Sequence, residues 1–195
     1  MIIVITPEQI IPNEIETIDQ LFQEGLDLLH IRKPFINNEK MKNFLDGIDS
    51  SYHAQLVLHN HYDLGKEYHI SRFHIREKDR LERCISQFNG QILSTSVHNM
   101  TAYNKLEKEW EYSFVSPVFP SISKKGYGED ATVLEDIKHR NNPDVKLIAL
   151  GGIHENNIQK VLESKADGVA LLGAIWENEQ PLNVFRKCKQ FVLSS

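Results

Sequence analysis

The chain has 195 residues, 41% of them hydrophobic and 25% charged, with 22 Lys+Arg against 27 Asp+Glu and a formal net charge of −5. That is length and apolar content for a single domain over residues 1–195 with a true core, and a slightly acidic balance without a Lys/Arg cluster excludes nucleic acid as an expected partner. Apolar runs of about five or six residues fall far short of the roughly 20 that span a bilayer, and Met1-Ile2-Ile3-Val4-Ile5 meets Thr6-Pro7 without a basic leader region, so neither membrane nor secretion is expected.

In chain order, short β-rich runs alternate with longer segments of helical period. Strands are predicted over Ile2–Thr6, Leu28–Arg32, Gln55–His59, Arg72–Ile75, Ile92–Ser96, Tyr112–Val115, Lys146–Leu150 and Gly168–Leu172. Between and after them the 3.6-residue period predicts helices over Glu14–Gln23, Asn38–Asp49, Arg80–Phe88, Thr101–Lys108, Thr132–His139, Asn157–Ser164 and Leu182–Val192, with only a turn or two over Tyr62–Glu67. Thr132-x-x-Glu135 reads as a capping box, and Asn156 as a cap for the helix after it. Cys84 and Cys188 fall in helical segments and read as reduced thiols of a cytoplasmic protein.

Strands alternating with helices make an α/β fold with a parallel sheet. Eight of them favour a closed (β/α)8 TIM barrel over the alternative, a flavodoxin-like open sheet. At 195 residues over eight units, each repeat is about 24 residues, which makes a barrel close to the minimum size.

In such a barrel, chemistry gathers at the C-terminal strand ends. Nine histidines occur, and His30, His59, His61, His74, His98 and His154 fall at or just past predicted strand ends; His53, His69 and His139 read as structural. Alternation along a strand puts His30 beside Arg32, and Ser94 and Ser96 beside His98. His30, His59 and His74 are conceivable as ligands of one metal ion, a reading without an HExxH spacing behind it. Two features suit a phosphorylated ligand. Gly151-Gly152 and Leu172-Gly173-Ala174 follow strands seven and eight, where barrels commonly hold phosphate on backbone N–H groups. The loop 117–128, with its serines, glycines and Lys124-Lys125, suits a lid over a second anion.

Ser116-Pro-Val-Phe-Pro-Ser-Ile-Ser-Lys124, with Ser96-Val97-His98, Ala149-Leu150-Gly151-Gly152-Ile153 and Ala166-Asp167-Gly168-Val169-Ala170, resembles the thiamine phosphate synthase/TenI family. The resemblance runs through nearly the whole chain in order and implies a small (β/α)8 barrel in thiamine biosynthesis, a phosphorylated thiazole as substrate and a homodimer or higher homo-oligomer. It also implies one of two reactions. The synthase joins a pyrimidine pyrophosphate to a thiazole phosphate with Mg²⁺; TenI-type proteins aromatise a carboxythiazole phosphate tautomer by proton transfer, without a cofactor.

At several positions this chain is closer to the TenI type. Where the synthase strand end reads QLREK, the sequence has His30, Arg32 and Pro34; where it has Asn-Asp, the sequence has His59-Asn60. Asp79 stands at the second metal aspartate, so Asp79 and Asn60 are the metal positions if the chain is a synthase. The resemblance implies catalytic roles for His98, Lys124 and Arg32, and ligand contacts for His30, His59, Ser96, Ser121, Ser123, Gly152, Leu172 and Gly173. A TenI-like tautomerase with His98 as acid and base is the leading expectation, since a histidine near neutrality suits movement of a carbon-bound proton. The alternatives are the synthase, and a non-catalytic barrel that senses a thiazole or thiamine phosphate.

Overall fold

Parallel strands covered on both faces read as continuous apolar runs, so their positions are plain in the sequence. The computed structural model describes residues 1–81, 86–122, 126, 128 and 133–194. The strands are β1 (Ile2–Ile5), β2 (Leu28–Ile31), β3 (Leu56–Leu58), β4 (Arg72–Ile75), β5 (Ile92–Val97), β6 (Trp110–Val115), β7 (Lys146–Leu150) and β8 (Gly168–Leu171). Each pairs in parallel with the next, and β8 returns to β1 through Ile2↔Val169 and Val4↔Leu171. The sheet is therefore a closed (β/α)8 barrel and not the open flavodoxin-like alternative, which would leave two edge strands unpaired.

Outside the barrel lie α1 (Glu14–Gln23), α2 (Asn38–Asp46), α3 (Glu77–Leu81), α4 (Met100–Asn104), α5 (Val133–Asp136), α6 (Ile158–Glu163), α7 (Gly173–Trp176) and α8 (Pro181–Ser194). The connection after β3 carries only a 3-10 turn at Tyr62–Gly65, in keeping with its short apolar run. α3 begins at Glu77, ahead of the predicted Arg80, and Cys84 lies outside the described residues, as does the Thr132 half of the capping box. The residue preceding α6 is Asn157, not Asn156; its side chain serves the β7 loop, accepting from His154 N–H (2.9 Å) and donating to the Gly152 carbonyl (2.9 Å).

Alternation along the strands sorts the apolar residues into two layers. Ile3, Ile5, Leu28, Val57, Tyr112, Phe114, Ile148 and Ala170 fill the barrel interior, while Ile2, Val4, Leu29, Ile31, Leu56 and Leu58 face the helices. The inward row of β2 continues from Leu28 to His30, which carries a polar ring into the centre of an apolar barrel. Cys188 sits fully buried against this helix layer, where burial pushes its thiol up to about 12.

Lys33, just past β2, is fully buried, and its ammonium reaches Glu14 at the start of α1 (2.6 and 2.8 Å) and the Gln9 carbonyl (2.8 Å). Burial raises the Glu14 carboxyl and lowers the Lys33 ammonium, each opposed by the attraction of the other. Removing one member leaves a buried charge without compensation, so Lys33→Met is expected to cost about 3–5 kcal/mol. The double variant Lys33→Met/Glu14→Leu should recover most of that loss. Urea unfolding of the three proteins checks it, and equal losses in the single and double variants would contradict the pairing.

Candidate active site

A cavity of about 400 Å³ opens at the C-terminal ends of the strands. Its floor is polar. His59 and His74 line it, and His30 lies beneath them with no exposure. His30 Nδ1 is 2.8 Å from His59 Nε2, and its Nε2 is 2.7 Å from the Tyr112 hydroxyl. His74 sits between two serine hydroxyls of β5, with Nδ1 2.9 Å from Ser94 Oγ and Nε2 2.9 Å from Ser96 Oγ. Desolvation holds all three rings well below the ordinary imidazole range, His74 at about 3, so each is neutral at pH 7. Neighbouring histidines and the guanidiniums of Arg32 and Arg72 add to the effect.

The wall carries the groups suited to proton transfer and anion binding. His98, just past β5 and half exposed, has Nδ1 3.0 Å from the Ser116 carbonyl. A carbonyl only accepts, so Nδ1 carries the proton and Nε2 keeps its lone pair. That Nε2 stands 3.8 Å from a Glu77 carboxylate oxygen. Glu77 also receives Arg80 at 3.4 Å. Arg32 lines the cavity with its backbone N–H on Thr6 Oγ1 (2.9 Å) and its guanidinium on Glu8 (2.5 Å). Arg76 lines the same wall and grips Asp79 with Nε at 2.7 Å and Nη2 at 3.2 Å.

Opposite lie Gly151 and Gly152 from β7 and Leu172 and Gly173 from the end of β8. Trp176 Nε1 donates to the Ile5 carbonyl (2.7 Å), which anchors α7 to the rim beside Gly173. Both glycines of the pair have positive φ, +107° and +62°. They also lie against the segment after β6: Val118 N–H donates to the Leu150 carbonyl (3.0 Å) and Phe119 N–H to the Gly151 carbonyl (3.2 Å). A Cβ on Gly152 would overlap the Pro120 carbonyl oxygen and stand 2.8 Å from Phe119 Cβ. Gly152→Ala is thus expected to destabilise by about 1–3 kcal/mol through overpacking. Thermal melts of this variant should show a lower midpoint, and an unchanged midpoint would contradict the close approach.

Of the residues singled out from sequence, Arg32, His59, Ser96, His98, Ser121, Gly152, Leu172 and Gly173 line one cavity, with His30 under its floor. Ser123 and Lys124 lie outside the described residues, as does much of the expected lid. His61 and His154 do not line the cavity: His61 pairs with Asn38, and His154 is taken up in the turn before α6. Asn60 and Asp79 are absent from the lining as well. The Asn60 amide clamps the Lys33 backbone (3.0 and 3.4 Å), and both Asp79 oxygens face Arg76. As placed, these donors do not fit a Mg²⁺ ion, which takes oxygen ligands in near-octahedral geometry. Sequence reasoning passed over Arg76, Glu77 and Tyr112. The first two follow β4 directly, where barrel chemistry is expected, and Tyr112 shares the inward row of β6 with Phe114.

A thiamine monophosphate synthase family profile matches residues 2–175. Relatives include the thiamine-phosphate synthase of Clostridium tetani, 24% identical over 182 residues, covering 90% of this chain and 85% of that protein. The thiamine-phosphate synthase of Anoxybacillus flavithermus is 26% identical over 192 residues, with the same two coverages of 90% and 85%. Among solved structures, a thiamine phosphate pyrophosphorylase from Bacteroides thetaiotaomicron is 25% identical with a TM-score of 0.80, covering 97% of this chain and 96% of that one. A 3-hexulose-6-phosphate synthase from Salmonella typhimurium, 15% identical with a TM-score of 0.73 over 100% of this chain and 99% of that one, shares the fold. Among the described residues, no helix is long and apolar enough to cross a membrane.

Proposed function

Since the chain belongs to the thiamine monophosphate synthase/TenI family, we propose that it is a thiazole tautomerase of thiamine biosynthesis, with His98 as its general base and acid. The observation that carries this reading is the fixed tautomer of His98. Its Nδ1–H is held by the Ser116 carbonyl, which leaves Nε2 bare in a residue that lines the cavity together with Arg32 and Arg76. Nε2 takes the carbon-bound proton of the non-aromatic thiazole, and the imidazolium is stabilised by Glu77. The same nitrogen returns the proton to a different atom of the substrate, so the reaction is an isomerisation with no other reactant. Arg32 pairs with the substrate carboxylate, and backbone N–H groups near Gly152, Leu172 and Gly173 hold the phosphate. His59, Ser96 and Ser121 line the rest of the pocket, with His30 beneath its floor.

A second reading, the joining of a pyrimidine pyrophosphate to a thiazole phosphate, is favoured by the names of the relatives. By the comparisons alone it is the better supported of the two. Against it stands the engagement of Asn60 and Asp79 elsewhere, since departure of pyrophosphate calls for stabilisation by a metal or cations. One experiment separates the readings. The purified protein is given the carboxythiazole phosphate tautomer in one arm. In the other it is given the pyrimidine pyrophosphate with thiazole phosphate, with and without Mg²⁺. Aromatisation without metal supports the tautomerase. Mg²⁺-dependent formation of thiamine phosphate without aromatisation replaces it with the synthase, and binding without turnover in either arm points to a sensor.

A further inference from the structure

We propose that His30, His59 and His74 form a binding site for a zinc-like transition-metal ion in the floor of the cavity. One imidazole comes from each of three neighbouring strand ends, β2, β3 and β4, and one ligand atom of each lies within 4.8 Å of the others. Three imidazoles with a fourth position left open are a recurrent donor set for zinc and related ions, and a poor one for magnesium. The ion is therefore of a different class from the one the synthase reaction uses.

Three further features support the assignment. Ligating histidines commonly give their second ring nitrogen to a fixed partner. Here Tyr112 Oη stands 2.7 Å from His30 Nε2, and Ser94 Oγ stands 2.9 Å from His74 Nδ1. His30 Nδ1 and His74 Nε2 are left for the metal, with His59 Nε2 as the third donor. The rings are already neutral, so no proton has to leave for a lone pair to bind. His59 and His74 line the cavity, which opens the fourth position to a bound anion.

Ligation changes the local bonding in defined ways. The His30–His59 contact of 2.8 Å and the His74–Ser96 contact of 2.9 Å give way to coordinate bonds. The His59 ring, stacked on His74 at 4.2 Å with 21° between planes, turns about its Cβ–Cγ bond so that both lone pairs meet the ion. Two cations face the site, Arg32 from above and Arg72 from the opposite end of the barrel. Each is paired with a carboxylate, Glu8 and Glu111 respectively, at 2.5 Å. The ion's own charge, uncompensated by three neutral ligands, then selects an anionic oxygen as the fourth ligand.

This inference is independent of the reaction proposed above, because its readout is metal binding and not turnover. Chelator-treated protein is titrated with Co²⁺ and followed by visible absorption and proton NMR. One equivalent should give ligand-field bands of a four-coordinate ion, together with shifted N–H resonances from His30 and His74. Zn²⁺ should abolish the bands, and inorganic phosphate should shift them. His59→Gln, at the cavity face, should lose the one-equivalent uptake while keeping its circular dichroism. Tyr112→Phe should weaken it by about 10–100-fold. Absence of the bands and of the shifted resonances in folded wild-type protein, or uptake unchanged in His59→Gln, overturns the site. The wild-type titration decides the matter even if a variant fails to fold.

Discussion

Replacing His98 by alanine is expected to lower aromatisation of the carboxythiazole phosphate by about 10²–10⁴-fold, the usual contribution of a positioned acid–base group. The loss should fall on kcat more than on KM, because the proposed tautomerase assigns the moving proton to the imidazole and substrate binding to Arg32 and the glycine-rich rim. Stability should change little. His98 is half exposed, and it meets the Ser116 carbonyl and the Glu77 carboxylate. A neighbouring variant sharpens the reading. Glu77→Gln removes the charge beside Nε2 and should lower the rate by less than His98→Ala. Following the aromatic product by absorbance or NMR checks both. A His98→Ala protein with undiminished turnover would remove this histidine from the chemistry.

The second large effect is a loss of stability in acid. His30, His59 and His74 have native pKa values depressed by burial, whereas in the unfolded chain each returns to about 6.5. Below pH 6.5 the unfolded state takes up protons that the native state refuses. The stabilisation is therefore complete above pH 6.5 and is lost as pH falls toward the native values, about 3 for His74. Each histidine contributes a slope of up to about 1.4 kcal/mol per pH unit in that window. The guanidiniums of Arg32 and Arg72 reinforce the effect. Urea unfolding in chelator between pH 7 and pH 5, above the main carboxylate range, should show uptake of more than one proton per molecule. His59→Gln should reduce that uptake by about one proton. A midpoint that does not move across this interval would contradict the burial.

How far the molecule was legible in its sequence depended on whether the deciding interaction was local. The eight strands were legible because both their faces are apolar, and α1 was placed at Glu14–Gln23 by its period. Helix ends were less so. α3 starts at Glu77, ahead of the predicted Arg80, and Glu77 meets Arg80 one turn on and His98 past the neighbouring strand β5, a contact no local pattern reveals. Asn157 ended as a brace for the Gly152 loop and not as a spectator of Asn156, since the β7 loop supplies a carbonyl that no local pattern reveals.

The site divides in the same way. That histidines, serines and glycines gather on one rim follows from period-two alternation and the order of strands, so the sequence alone determined the (β/α)8 barrel, the end at which the cavity opens and most of the cavity's residues. Which partner each side chain takes was decided only by the tertiary structure. Lys33 follows Arg32 in sequence yet is buried on Glu14, and Asn60 follows His59 yet turns to the Lys33 backbone. Asp79 is held by Arg76, and His30, His59 and His74 meet within one cluster. The reason is physical. A periodic pattern says which face of an element is buried, whereas a polar group's partner and its pKa depend on what closure of the barrel brings from distant strands into a region without water.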